Sequence, residues 1–221
     1  MKFTILTLFP EMFSALEHSI IKRAQDAGHI QIEIVNFRDY SKDKHKRVDD
    51  VGFSGGGGMV ICAQPVVDCI EAVDPDRKAH RIFLTPAAPV VTQKRIIELS
   101  KYDHVLFLCG HYEGVDQRAI DLCFDEVLSI GEFVLTGGEI PAMVLVDAIA
   151  RHVSGVISAG SLQCESFSGD CEKTILEHPH YTRPREYRGL SVPEVLVSGN
   201  HAAVEKWKKQ ASAEVTKKYR G

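Results

Sequence analysis

Three short loops carry the residue types and spacing that suggest chemistry: Thr85–Pro89 (TPAAP), Gly110–Gly114 (GHYEG) and Ser129–Pro141 (SIGEFVLTGGEIP). In the last, an apolar run stops at Gly131, a second (Phe133, Val134, Leu135) stops at Gly137–Gly138, and a helix signal opens at once with Pro141 in its first turn. Glycines at a strand-to-helix handover let the backbone approach a ligand closely, and the helix start offers unpaired N–H groups. No lysine follows in P-loop fashion and the GxGxxG spacing is not met, so the ligand is read by backbone and phosphate is not the obvious target. Each loop follows a strand-like segment. In an open parallel sheet ligands bind beyond the carboxyl ends of strands, so the three loops are expected to converge on one pocket. His178-Pro179-His180 does not read as a metal site, because no cysteine or third histidine stands at ligand spacing nearby.

The elements that must position these loops alternate between β-like and α-like. Strands are predicted at Lys2–Leu8, Ile30–Val35, Arg81–Thr85, His104–Cys109 and Glu126–Ile130. Helices are predicted at Pro10–Ala27 (stripe Met12, Leu16, Ile20, Ala24), Pro65–Ala72, Thr92–Leu99 with Thr92 as N-cap, Val115–Cys123 and Pro141–His152. That order argues an α/β fold with a mostly parallel sheet. Between the second strand and second helix, Arg38–Asp50 is crowded with charge, and Ser54–Gly58 (SGGGG) favours no packed element. Helix Pro141–His152 is apolar on most faces, which places it in the core or at a subunit interface.

Ser154–Asp170 has little periodicity and reads as a linker. The chain therefore divides into residues 1–153, a linker over 154–170 and a small helical domain over 171–221, which ends in a helix at Ala202–Tyr219. At 221 residues, with 44% apolar and 25% charged content, one good core and a small second domain are affordable. No apolar run approaches the roughly 18 residues of a membrane span, and no cleavage-type signal follows Met1, so the expectation is a cytoplasmic protein without membrane association. Six cysteines without a CxxC pair are expected as free thiols. The net charge of −4 conceals an asymmetry: Lys173 onward holds ten Lys/Arg against five Glu, a surplus of +5, which leaves −9 on residues 1–172. Clustered cations gain affinity for nucleic acid by releasing phosphate counterions, so the C-terminal segment is a candidate nucleic-acid surface.

Six blocks in order along nearly the whole chain carry a more specific signal. HKRVDD (His45–Asp50), the glycine loop ending in GGM (Gly57–Met59), CGHYEGVDQR (Cys109–Arg118), SIGEFVLTGGEIPAM (Ser129–Met143), HPHYTRP (His178–Pro184) and SGNH (Ser198–His201) resemble the bacterial tRNA (guanine-N(1)-)-methyltransferase family, TrmD. The resemblance implies an S-adenosylmethionine-dependent enzyme that methylates N1 of the guanosine immediately 3′ of the anticodon, position 37. It further implies a homodimer and a SPOUT fold with a deep trefoil knot, which periodicity does not reveal and general topology rules disfavour.

Carried over residue by residue, the resemblance places Phe83, Leu84, Thr85 and Pro86 around the methyl donor, with Gly110, Tyr112, Glu113 and Gly114 from the second loop. From the third it adds Ile130, Gly131, Glu132, Phe133, Val134, Leu135, Gly137, Gly138 and Pro141. Glu132 and Phe133 stand where the family often has Asp and Tyr, and Phe keeps the ring while losing one hydroxyl. Neutral guanine N1 carries a proton, so attack on the methyl group needs a base, and charge developing on O6 needs a cation or donor. The family's base is an aspartate in a D-S-F context; here the matching residue is Glu165, in Glu165-Ser166-Phe167, with the carboxylate kept and one methylene added. Arg151 matches the family arginine that stabilises O6. Magnesium is a candidate second cofactor, since the resemblance associates activity with that metal, and Glu113 is expected near either the methionine moiety or that ion. Lys46, Arg47, Arg183 and Arg185 are expected on RNA phosphates, and His180 and Tyr181 stacked on a base. The substitution at Glu165 keeps open a second reading, a non-catalytic SPOUT-like module that binds S-adenosylmethionine or RNA.

Overall fold

The structure is a computed structural model that describes residues 1–53, 55, 57–158, 165–167 and 175–220. Two compact units divide the chain, Met1–Ile157 and Ser158–Gly221. Among the described residues of the first unit, five strands form the central sheet: β1 (Lys2–Thr7), β2 (Gln31–Asn36), β5 (His80–Leu84), β6 (His104–Cys109) and β7 (Glu126–Leu128). Their order is β2-β1-β6-β5-β7 and every pairing is parallel, as the alternation of elements predicts. A separate two-residue ladder joins β3 (Asp49–Asp50) to β4 (Val60–Ile61) across the glycine loop.

Period-two alternation along the central strands explains the layering. Phe3, Ile5, Ile82, Leu84, Val105, Phe107 and Cys109 face one core, shared with α1 (Ser19–Asp26), α3 (Gln93–Leu99) and α5 (Glu139–Ala150). Leu6, Phe83, Leu106 and Leu108 face the other, shared with α2 (Ala63–Val73) and α4 (Gln117–Cys123). A parallel sheet is covered on both faces, so its inner strands read as almost continuous apolar runs. Thr92 caps α3 through its side chain, which accepts from the Arg95 N–H.

Two expected elements differ. The single helix over Pro10–Ala27 is a 3-10 helix, Pro10–Glu17, followed by α1, with His18 extended and Ser19 left-handed (φ 55°) between them. Its buried positions are Phe13, Leu16, Ile21 and Ala24, while Met12 and Ile20 are exposed. The tighter period of three in the first segment, followed by a break, shifts the stripe away from the i, i+4 spacing that the sequence suggests. The strand expected over Glu126–Ile130 ends at Leu128.

In the second unit a short hairpin pairs Glu186–Tyr187 with Leu190–Ser191, and helices follow at Glu194–Val197 and His201–Arg220. No helix among the described residues is long and apolar enough to cross a membrane. Cys62, Cys69, Cys109 and Cys123 are free thiols; Cys164 and Cys171 lie outside the described residues, as do most of the expected linker and Lys173.

The amino end of the sheet is braced by charge. Arg81 donates from Nε to Asp74 Oδ2 (2.9 Å) and from Nη2 to the Asp74 carbonyl (2.9 Å), and both side chains are buried, at 7% and 4% exposure. Burial pushes the Asp74 carboxyl up, but the Lys78 N–H, the Arg81 guanidinium and the Ala79 N–H outweigh it and the net shift is downward. Glu126 behaves likewise, its burial outweighed by Arg95 and His80. Removing one partner of a buried pair strands the other charge, so Asp74→Ala is expected to destabilise the protein by about 3–5 kcal/mol, read by urea unfolding. His104, whose Nε2 lies 2.9 Å from Thr4 Oγ1, is held below its ordinary pKa of 6.5, chiefly by burial. As pH falls through about 6.5 the unfolded chain binds a proton that folded His104 refuses, so stability declines; the lowered carboxyls of Asp74 and Glu126 add a second loss below about pH 4. His104→Gln should flatten the first decline in a series of melting temperatures and leave the second.

Candidate active site

The register of the sheet builds the site. Leu84 pairs with Cys109 on one side and with Leu128 on the other, so β5, β6 and β7 end at one level and their loops start side by side. The three loops line one cavity of about 390 Å³, within the range of small-molecule sites. Backbone bonds fasten them together. The Thr85 N–H donates to the Leu128 carbonyl (3.0 Å), the Val91 N–H to the Ser129 carbonyl (2.8 Å) and the Gly138 N–H to the Gly110 carbonyl (2.9 Å). A Cβ on Gly138 would lie 2.6 Å from Cys109 Cα and 2.9 Å from the Gly110 nitrogen, both backbone atoms, so no larger residue fits where α5 starts.

Of the residues expected around a cofactor, Phe83, Leu84, Thr85, Pro86, Gly110, Tyr112, Glu113, Gly114, Ile130, Phe133, Val134, Leu135, Gly137, Gly138 and Pro141 lie in the cavity wall. Gly131 and Glu132 do not. The Ser129 hydroxyl donates to the Gly131 carbonyl (2.8 Å) and accepts from its N–H (3.2 Å), which closes a turn that carries the exposed Glu132 outside the wall. The wall also contains Ala87, His111, Leu128, Ser129 and Thr136. All but Leu128, the last residue of β7, fall inside the same three loops, and their signal was position within a loop rather than side-chain type.

Glu113 reaches back over the glycine loop. Its N–H donates to the Met59 carbonyl (3.0 Å), and a Cβ on Gly58, whose φ is +97°, would lie 2.6 Å from Glu113 Oε1. The Ile61 N–H donates to the Gly114 carbonyl (2.9 Å) and the Asp116 N–H to the Ile61 carbonyl (2.8 Å), so β4 is zipped to the second ligand loop. No group of three or more His, Cys, Asp or Glu side chains suited to a metal forms among the described residues. A magnesium ion here would rest on Glu113 with water and ligand oxygens, a mode that ion accepts.

Arg151 occupies the C-cap of α5, where its N–H donates to the Asp147 carbonyl (3.2 Å) and the helix end favours a cation. In the second unit, Glu165 is half-buried and precedes a left-handed Phe167 (φ 67°). That turn is tied down by the Glu177 N–H donating to Ser166 Oγ (3.0 Å) and the Phe167 N–H donating to the Ile175 carbonyl (2.9 Å).

Among the expected RNA contacts, Lys46 is already committed. Its ammonium donates to the Asp39 and Ser41 carbonyls (2.9 and 3.0 Å), which pins the basic loop in shape. Arg47 is exposed and pairs with Asp43 (3.0 Å); the Arg47 side chain and the backbone N–H groups of His45 and Arg47 hold the Asp43 carboxyl well below its usual range. In the second unit His180 meets Glu177 (2.8 Å), Arg185 meets Glu194 (2.7 Å) and Arg183 is exposed. Tyr181 and His178 flank Trp207, with ring centroids at 6.3 and 6.0 Å. Trp207 belongs to the apolar stripe of the terminal helix, and its contact with these two rings was not foreseen.

The sequence is similar to known proteins along the full chain. The sequence model of the family described as tRNA (Guanine-1)-methyltransferase TrmD matches residues 1–221. A Ruminiclostridium cellulolyticum protein named tRNA (guanine-N(1)-)-methyltransferase is 51% identical over 222 residues, spanning 98% of this chain and 93% of its own. Proteins of the same name from Caldicellulosiruptor saccharolyticus and Clostridioides difficile are 52% and 45% identical, over 96% and 100% of this chain and 85% and 96% of theirs. A cavity made by backbone at three aligned strand ends, together with a family match over every residue, places the chain in the tRNA (guanine-1)-methyltransferase family, TrmD.

Proposed function

We propose that this protein methylates N1 of the guanosine immediately 3′ of the anticodon, position 37, in tRNA, with S-adenosylmethionine as methyl donor. The observation that carries the reading is family membership over residues 1–221, in a chain whose three motif loops line one cavity. S-adenosylmethionine supplies a methyl group already activated on a sulfonium sulfur. The chain's own task is to hold donor and acceptor in line, a contribution of up to about 7–11 kcal/mol to the barrier. Backbone N–H and carbonyl groups of the three loops read the adenine edge, and Phe83, Ile130 and Leu135 supply apolar faces.

Glu165 takes the proton from guanine N1 and Arg151 faces O6, where negative charge develops as that proton leaves. The added methylene of Glu165 changes reach and not charge. In this reading residues 1–153 hold the cofactor, 154–170 link, and the basic segment 171–221 engages tRNA. Arg47, Arg183 and Arg185 meet phosphates, His180 and Tyr181 stack on bases, and Lys46 shapes the loop that presents Arg47. Family resemblance implies a homodimer, and exposed Ile140 and Val144 on α5 give the first unit apolar surface suited to a second copy of the chain. The cytoplasm is where such a substrate is met, and magnesium at Glu113 is the candidate second cofactor.

Purified protein incubated with S-adenosylmethionine should methylate a tRNA transcript that carries guanosine at that position with a further guanosine before it, and not one with adenosine there. Cofactor binding without methyl transfer would instead support the binding-module reading. Glu165→Gln should lower turnover by about 10²–10⁴-fold, the contribution of a positioned base, with cofactor affinity retained. Near-parental single-turnover rates would remove Glu165 from the mechanism.

A further inference from the structure

Behind the cavity wall lies a carboxylate that the mechanism above does not use. Glu139 opens α5 and is only 1% exposed. Its Oε1 accepts from the Thr7 hydroxyl (2.8 Å), at the end of β1, and its Oε2 lies 2.7 Å from His111 Nε2, in the second ligand loop. With a carboxylate oxygen as acceptor, the imidazole contributes its Nε2–H to this contact. Thr7 is itself placed, since its Oγ1 accepts from the Phe9 N–H (2.9 Å). The Phe9 ring lies 4.8 Å from the His111 ring, centroid to centroid. On the remaining side Gly137 is required, because a Cβ there would lie 2.6 Å from Glu139 Oε2 and collide with the imidazole.

The His111 ring, part of the cavity wall, is thus framed by Phe9, Gly137 and Glu139. Glu139 holds it through the polar contact, which an apolar frame cannot supply. We infer that Glu139 is a positioning residue of the ligand site: acting through His111, it fixes the Gly110–Gly114 loop against the Gly137–Gly138 turn and so sets the shape of the pocket. The inference rests on the reading of the cavity as the S-adenosylmethionine site. The carboxylate never touches the ligand. Its effect reaches the pocket only through the imidazole, and that route distinguishes positioning from bulk stability.

The test is a double-mutant cycle on the full chain, with S-adenosylmethionine binding read by calorimetry. Glu139→Gln and His111→Ala should each weaken binding about tenfold, and the double variant should be no more than about twofold worse than the weaker single, because both remove one interaction. The parent should show a downfield His111 Nε2–H proton resonance that Glu139→Gln loses, a signature a merely structural role would not produce. Thr7→Val, which removes one donor to the carboxylate, should weaken binding about threefold and be similarly non-additive with His111→Ala, and it serves if Glu139→Gln does not fold. Parental affinity in Glu139→Gln, or penalties that multiply, overturns the inference while the cofactor reading stands. A parent that fails to bind S-adenosylmethionine overturns both.

Discussion

Parallel pairing sets Leu84 opposite both Cys109 and Leu128, and three loops therefore leave the sheet from adjacent strands at one height. Had β7 slipped by one residue, every side chain on it would change face and the Ser129 turn would no longer meet Thr85 and Val91. The rest of the site follows from that alignment. The loops are close enough to bond by their own backbones, and one of them returns into α5 through a glycine that sits against the Cys109 backbone. A pocket made in this way has few charged groups in its wall and presents amides and apolar surface, which suits a ligand recognised by shape and edge rather than by phosphate.

Charge is placed elsewhere. The amino end of the sheet carries the buried Asp74–Arg81 pair and the Arg95–Glu126–His80 cluster, which tie β5 and β7 to neighbouring segments. The carboxyl end is held by backbone bonds and, behind the wall, by the Thr7–Glu139–His111 chain. The anchoring pairs and the cavity therefore occupy opposite ends of the same strands, and substitutions at one end are expected to add to, rather than interact with, those at the other.

Much of this was legible in the residues. Strand His104–Cys109 falls where its apolar run falls, Thr92 caps α3 as its side chain suggests, and the strand-loop-helix order gives the parallel sheet. The three loops could be grouped because each follows a strand. What periodicity missed has physical causes. A 3-10 segment has a different period from the helix assumed, so Phe13 and Ile21 replaced Met12 and Ile20 in the core. His111 was passed over because nothing in the local sequence reveals a carboxylate 28 residues away that fixes its ring. The bonds from Lys46 to the Asp39 and Ser41 carbonyls were not foreseen, because backbone carbonyls leave no trace in a list of side chains.

A pocket made by backbone and a segment rich in cations respond differently to salt. Amide and apolar contacts with a cofactor are nearly indifferent to ionic strength, because few full charges change partners when it enters. Engagement of an RNA backbone by the Lys/Arg surplus of the C-terminal segment is the opposite, since each neutralised phosphate releases counterions and the affinity falls steeply with salt. On the proposed reading, added salt is expected to detach RNA while leaving the cofactor seated, which makes the cofactor-loaded, RNA-free state a species that can be prepared.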